Sequence, residues 1–398
     1  MTRVSLSEKS SLVEAALRND GFVGRMTAET VISAIGMGLI AGAFLANLAW
    51  FDQHFLPPFF ATRNEYIEAT WAARIAGATL GATLLLVVRP RIGRLIASVP
   101  TKTFLADVAR IALAVALALG VSEVALRHTV FGLASEERPR EEEPLRHRDR
   151  HLGWVFVPSR TGRDKIGGRS IEYTFDAAGY RVRNASEPVN PDRPTIVFTG
   201  ESTMVGHGLT WDESIPGQVQ ALVGIQSANL AVEGYATDQA YLRLLAELPH
   251  FHHAIAVVSF FTPNLFDRNL DEDRPHLESG LVWRSGKRKG SLIALATWLA
   301  PYRSQATIDH GIITTRQVLS ASVDLARSRG AVPIIIVPVF APEQTCERIL
   351  RNRILDEAAL PYILVQLDAS WRIPWDRHPD ARGARAVALA IVARLRDH

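Results

Sequence analysis

The chain has 398 residues, a length that suits two domains. Hydrophobic residues make up 47% and charged residues 21%, which excludes a mainly disordered chain. The net charge of +3, with arginines scattered among acids, gives no basis for nucleic-acid binding, and the one cysteine, Cys346, excludes an intrachain disulfide and a cysteine-based zinc site.

The first third is apolar. Residues 31–51, "VISAIGMGLIAGAFLANLAWF", carry no charge and are long enough to cross a hydrocarbon core. Gly36, Gly38, Ala41, Gly42 and Ala43 suit close helix packing in lipid, and Trp50 and Phe51 suit the interface. Residues 71–88 form a second predicted span, with Arg74 snorkelling from near one end. Residues 104–126 form a third, in which Asp107 and Arg110 share a helical face and can pair. The competing reading is a buried or interfacial helix. Arg3, Lys9, Arg18 and Arg25 precede the first span, and Arg89, Arg91, Arg94 and Lys102 follow the second. The connection between them holds only Arg63 as a strong base, so the N-terminus is predicted inside and the chain beyond residue 127 outside the cytoplasm. The expected organisation is a membrane region over 1–130, a charged linker over 131–151 and a second domain over 152–398.

The second domain alternates strands and helices. Ile171, Tyr173 and Phe175 alternate before the turn residues "DAAG", which predicts a hairpin. Strands are predicted at 195–199, 228–232, 254–261, 332–340 and 362–367. Helices are predicted at 214–223, 237–248, 314–329, 343–357 and 381–396. Such alternation predicts an α/β fold: a three-layer α/β/α sandwich around a five-stranded parallel sheet, as in flavodoxin-like folds. Ligands of such sheets bind beyond the carboxyl ends of the strands, where Ser202, Gly234 and Asn264 fall. Residues 265–310 read as a long irregular insert that can serve as a lid, with Trp283 and Trp298 as lining candidates.

Ser202 is either a nucleophile or a turn serine bonding its own backbone. His378 is either its base or a loop histidine before a proline. Asp376, two residues earlier, projects to the same side in an extended segment and can orient the ring. Gly200-Glu201-Ser202-Thr203-Met204 is not a G-x-S-x-G elbow. No phosphate loop, dinucleotide fingerprint or HExxH motif occurs, so no metal and no cofactor are expected.

"VFTGESTMVGHGLTWDESIPGQVQ" resembles the first block of the SGNH/GDSL hydrolase superfamily, with Glu201 in place of the usual aspartate. "NLAVEGYATDQA", "FFTPNLFDRN" and "DRHPDARG" are similar to its later blocks. The last has one residue between Asp376 and His378, where the family spacing is Asp-x-x-His. The resemblance covers about residues 150–398. It implies Ser202 as nucleophile, His378 as base and Asp376 as its partner. It also implies Ser202 N–H, Gly234 N–H and the Asn264 side chain as oxyanion donors. The expected function is membrane-anchored hydrolysis of acyl esters, of the esterase/lipase or carbohydrate-deacetylase kind, with a cell-envelope glycan or lipid as one candidate substrate. The alternatives are O-acyl transfer to such an acceptor, or a degenerate domain that binds a glycan or protein.

Overall fold

The computed structural model describes residues 6–56, 59, 61–96, 101–129, 145–287 and 290–397. The N-terminal part is helical: α1 (Leu6–Leu45), α2 (Leu48–His54), α3 (Arg63–Thr83), α4 (Arg89–Ile96) and α5 (Thr101–Thr129). A π-helical turn, Leu84–Val88, joins α3 to α4. Three segments are long and apolar enough to cross a membrane by length and composition: Gly24–Leu45, Arg63–Ile96 and Ala106–Leu126. The first differs from the predicted 31–51. The helix breaks at Ala46 and Asn47, so Trp50 and Phe51 lie on the separate α2. The second extends beyond 71–88 at both ends.

Beyond residue 144 the chain forms β1 (Arg146–Asp149), β2 (Gly153–Phe156), β3 (Thr161–Ile166), β4 (Arg169–Phe175), β5 (Arg181–Val182), β6 (Thr195–Phe198), α6 (Ser202–Val205), α7 (Ile215–Val223), β7 (Gln226–Asn229), α8 (Thr237–Glu247), β8 (Ala254–Phe260) and α9 (Pro263–Asn269). It continues with β9 (His276–Glu278), β10 (Val282–Arg284), α10 (Ser291–Leu299), α11 (Gln305–Ser328), β11 (Val332–Phe340), α12 (Thr345–Arg351), β12 (Tyr362–Leu367) and α13 (Ala381–Arg396). The insert read as irregular is therefore largely regular, with α9, the β9–β10 hairpin and α10. Ser304 caps α11 by accepting from Thr307 N–H, so that helix starts nine residues before the predicted 314.

Two compact units divide the chain: residues 1–52, 64–137 and 290–301, and residues 53–63, 138–289 and 302–398. In the first unit, a Cβ on Gly81 would lie 2.6 Å from Gly36 O, so glycine permits the helices to touch there. Arg74 lies near the end of α1. Its Nε donates to Ala43 O at 2.7 Å, satisfying a carbonyl there. Arg110 pairs with Asp107 at 2.8 Å, as the spacing predicts. Glu123 accepts from Ser291 N–H and Leu292 N–H, each at 2.7 Å, and so caps α10.

The second unit is built on a sheet of order β12-β11-β8-β6-β7-β5-β4-β3. The first five strands are mutually parallel, as predicted, and β5, β4 and β3 add an antiparallel wing. Strand β11, "VPIIIVPVF", shows why both faces must be covered. Ile334 and Ile336 pack with Val387 and Ile391 of α13 on one face. Ile335, Val337 and Val339 pack with Ile312, Leu319 and Val323 of α11 on the other. Side chains alternate along a strand, so an apolar run needs a helical layer on each side. Strand β6 lies between β7 and β8, and the sheet grows outward from it in both directions. Its carboxyl end is the switch point where such folds hold ligands.

Candidate active site

Ser202 begins α6, three residues beyond Thr199 of the β6 exit. Glu201 caps this short helix, accepting from Thr203 N–H at 3.1 Å. Ser202 is 6% exposed, and its Oγ stands 2.8 Å from His378 Nε2. Nδ1 of the same ring lies 2.5 Å from Asp376 Oδ1. The structure thus brings together three residues from the two ends of the domain. The reason for the short Asp376–His378 spacing differs from the extended segment predicted. Trp375 and Arg377 adopt left-handed backbone, with φ of 68° and 71°. They turn the chain so that Asp376 meets its neighbour's ring without the extra residue. Ile373 N–H bonding to His378 O, and Arg377 N–H to Ile373 O, close the turn at 2.8 Å each. Large side chains seldom adopt positive φ, and such strain clusters at functional sites.

Two further donor candidates follow the strands that flank β6. Strands β7 and β8 flank β6 in parallel, so Gly234 and Asn264, just past their ends, reach the same edge of the sheet. Ser202 N–H and Gly234 N–H have no acceptor among the described residues. The buried Asn264 Nδ2 has none either. A buried donor without an acceptor, as at Asn264 Nδ2, is rare and calls for an explanation. A developing oxyanion is the acceptor they suit.

Glu201, where the family motif has aspartate, is 1% exposed. Its Oε2 receives Arg268 Nη1 at 3.1 Å and also hydrogen-bonds Ser202 Oγ. Burial pushes its pKa up, but Arg268, His378 and the bonds from Ser202 and Thr203 hold it below the usual carboxylate value. The longer side chain reaches a cation on α9.

Sequence reasoning missed His207. Its Nδ1 lies 2.5 Å from Glu233 Oε1 and its Nε2 3.1 Å from Asp376 Oδ2. Its ring centre is 4.5 Å from that of His378. The signal was the "GHG" triplet. Gly206 and Gly208 take φ of 84° and 73°, where a Cβ would meet Ser214 at 2.6 Å and Ile373 at 2.5 Å. Buried Arg181 holds this loop by donating to Val205 O, Gly206 O and Leu209 O at 2.6–2.9 Å. Burial pushes the Asp376 carboxyl up, but hydrogen bonds from both imidazoles bring it far below its ordinary value.

Metal-ligating atoms of His207, Asp376 and His378 lie within 4.8 Å of one another, a spacing a cation can use. Here they bond to each other, a carboxylate between two imidazoles. Trp283, a predicted lining residue, stacks on His151 at 5.0 Å and donates to His151 O. The Trp298 side chain lies outside the described residues.

No protein-family model matches the chain. No curated protein matches it. Solved structures do. A member of the lipolytic protein G-D-S-L family from Veillonella parvula is 10% identical, over 50% of this chain and 96% of that one, at a TM-score of 0.30. An acetyl xylan esterase from Butyrivibrio proteoclasticus is 9% identical, over 53% and 66%, at 0.34. A family two carbohydrate esterase from Cellvibrio japonicus is 16% identical, over 53% and 62%, at 0.30. At such scores the architecture rests on the strand order and the helical layers described above.

Proposed function

We propose that the protein is a membrane-anchored serine hydrolase of the SGNH/GDSL type that cleaves acyl esters. The observation that carries this reading is the line of contacts Ser202 Oγ–His378 Nε2–ring–Nδ1–Asp376 Oδ1, at 2.8 and 2.5 Å. Asn264 Nδ2, beyond the end of the neighbouring β8, is buried without an acceptor and supports the reading. His378 takes the Ser202 proton at Nε2 as Oγ bonds to the acyl carbon. The carbonyl oxygen becomes an oxyanion, held by Ser202 N–H, Gly234 N–H and Asn264 Nδ2. The tetrahedral species collapses, the C–O bond to the alcohol breaks, and the alcohol leaves with the proton from Nε2. Water then gives a proton to Nε2 and attacks the acyl carbon, and the carboxylic acid departs as Ser202 recovers its proton.

Ser202 Oγ carries one proton and has two acceptors, Glu201 Oε2 and His378 Nε2. Arg268 on Glu201 Oε2 draws off its charge and leaves the imidazole the better acceptor when substrate arrives. Trp375, next to Asp376 in the chain, is 97% exposed and offers a flat apolar face to solvent. A glycan ester is the substrate class that suits such a platform.

The anchor is three crossings with the N-terminus inside and the hydrolase domain outside the cytoplasm. Residues 53–63, the connection between the first two spans, belong to the same compact unit as the domain. His54, for example, bonds Arg303 O through Nδ1 at 2.9 Å. A shared unit requires a shared side of the membrane, which three crossings provide and two do not. Purified full-length protein should turn over short acyl esters, and His378→Ala should lower the rate about a thousandfold or more. Equal turnover by native and His378→Ala protein would defeat the reading.

A further inference from the structure

His207 has no step in that chemistry, yet it lies against the triad and is 18% exposed. Both of its ring nitrogens face carboxylate oxygens, Glu233 Oε1 and Asp376 Oδ2. A neutral imidazole has one N–H and can satisfy only one of them. Two donors require the imidazolium. Glu233 is itself fixed on its other side. Arg146 Nη1 approaches its Oε2 at 3.3 Å, and Trp154 Nε1 donates to its backbone oxygen at 2.8 Å.

We infer that His207 is a positioning residue, an imidazolium strung between Glu233 and Asp376 that locks the Asp376 carboxylate against His378 and disfavours a second positive charge on the base. The inference rests on the triad reading above. Asp376 spends Oδ1 on His378 and Oδ2 on His207, so the carboxylate cannot rotate away from either. That fixes the tautomer and aim of His378 from a turn that is otherwise strained. The ring of His207 is 4.5 Å from that of His378, close enough for like charges to oppose each other. The other charged groups facing the pair are Glu233, Arg146, Glu201 and Arg268. Burial depresses the His207 pKa, but hydrogen bonds to Asp376 and Glu233 outweigh it and raise the value to about 10. His207 is therefore charged throughout the range in which a histidine base works.

The test is the rate at which a fluorophosphonate labels full-length protein in detergent, followed from pH 5 to 10. The native rate should climb with pH to a plateau as the base becomes neutral. In His207→Gln the plateau should fall roughly ten- to a hundredfold through lost alignment. The midpoint should also move up by about one pH unit, because a neighbouring cation has gone. His207→Lys restores the charge without the planar bridge. It should bring the midpoint back and leave the plateau low. A lowered plateau with an unmoved midpoint in His207→Gln would reduce His207 to packing and overturn the inference, as would an unchanged profile. Native protein that does not label, or that labels equally after Ser202→Ala, would defeat the hydrolase reading instead. In that case the ring nitrogens of His207 in native protein labelled with 15N-histidine decide the inference alone. Both should be protonated at pH 7, and a neutral ring would overturn it.

Discussion

Asp376 Oδ1 and His378 Nδ1 lie 2.5 Å apart with one residue between them in the chain. The left-handed residues on either side, Trp375 and Arg377, make that contact possible. Inserting an alanine between Asp376 and His378 restores the longer family spacing but breaks this turn. Ester turnover by the insertion variant is expected to fall by at least about a hundredfold, since small misplacements of catalytic groups cost that much. Retained turnover would show that the turn geometry is not required.

The pair Arg268–Glu201 buries a carboxylate against the nucleophile. Arg268→Ala leaves that charge uncompensated and should destabilise the protein by about 3 kcal/mol, measured by denaturant unfolding. Glu201→Gln removes the charge with the partner still present, so a smaller loss is expected. An Arg268→Ala protein as stable as native would contradict the assigned role.

Arg181 has its guanidinium on three backbone carbonyls of the loop that carries His207, and it stacks on Tyr173 at 4.4 Å. Burial lowers its pKa to about 10, and among the described residues its guanidinium bonds only to backbone carbonyls. Arg181→Met strips donors from buried carbonyls, each worth roughly 1–3 kcal/mol. Unfolding should occur at markedly lower denaturant, and the remaining folded protein should label slowly. Normal labelling by folded Arg181→Met would show that the loop holds its place without this clamp.

His207 also sets a pH dependence of stability. Its folded pKa is raised from 6.5 to about 10, so the stability it contributes is complete below pH 6.5 and is lost as pH rises toward 10. Thermal unfolding of native and His207→Gln protein should therefore differ most at about pH 6 and converge by about pH 10. A difference that grows with pH would contradict a charged His207.

Much of this was legible in the sequence because it follows from periodicity. The apolar runs gave the parallel strands, and Ser214 and Asp380 mark the starts of α7 and α13 as their side chains cap them. Ser202, Gly234 and Asn264 stand out in the sequence because they follow strand ends, where such sheets place ligands, and His378 because Asp376 precedes it by two residues. The rest depends on tertiary contacts that no local pattern encodes. His207 lies five residues from Ser202, but its partners are Glu233 and Asp376, 26 and 169 residues distant. Glu201 stands in the sequence where aspartate is usual, and only the fold brings Arg268 within 3.1 Å of it. The predicted span 31–51 ran too far because composition alone does not show the break at Ala46 and Asn47.

The central claim is that Ser202 is the nucleophile. The most direct measurement is the intact and peptide mass of full-length protein after exposure to a fluorophosphonate. One adduct on Ser202 in native protein, absent from Ser202→Ala and strongly reduced in His378→Ala, is the predicted result. An adduct that persists in Ser202→Ala, or none on the native protein, would contradict it.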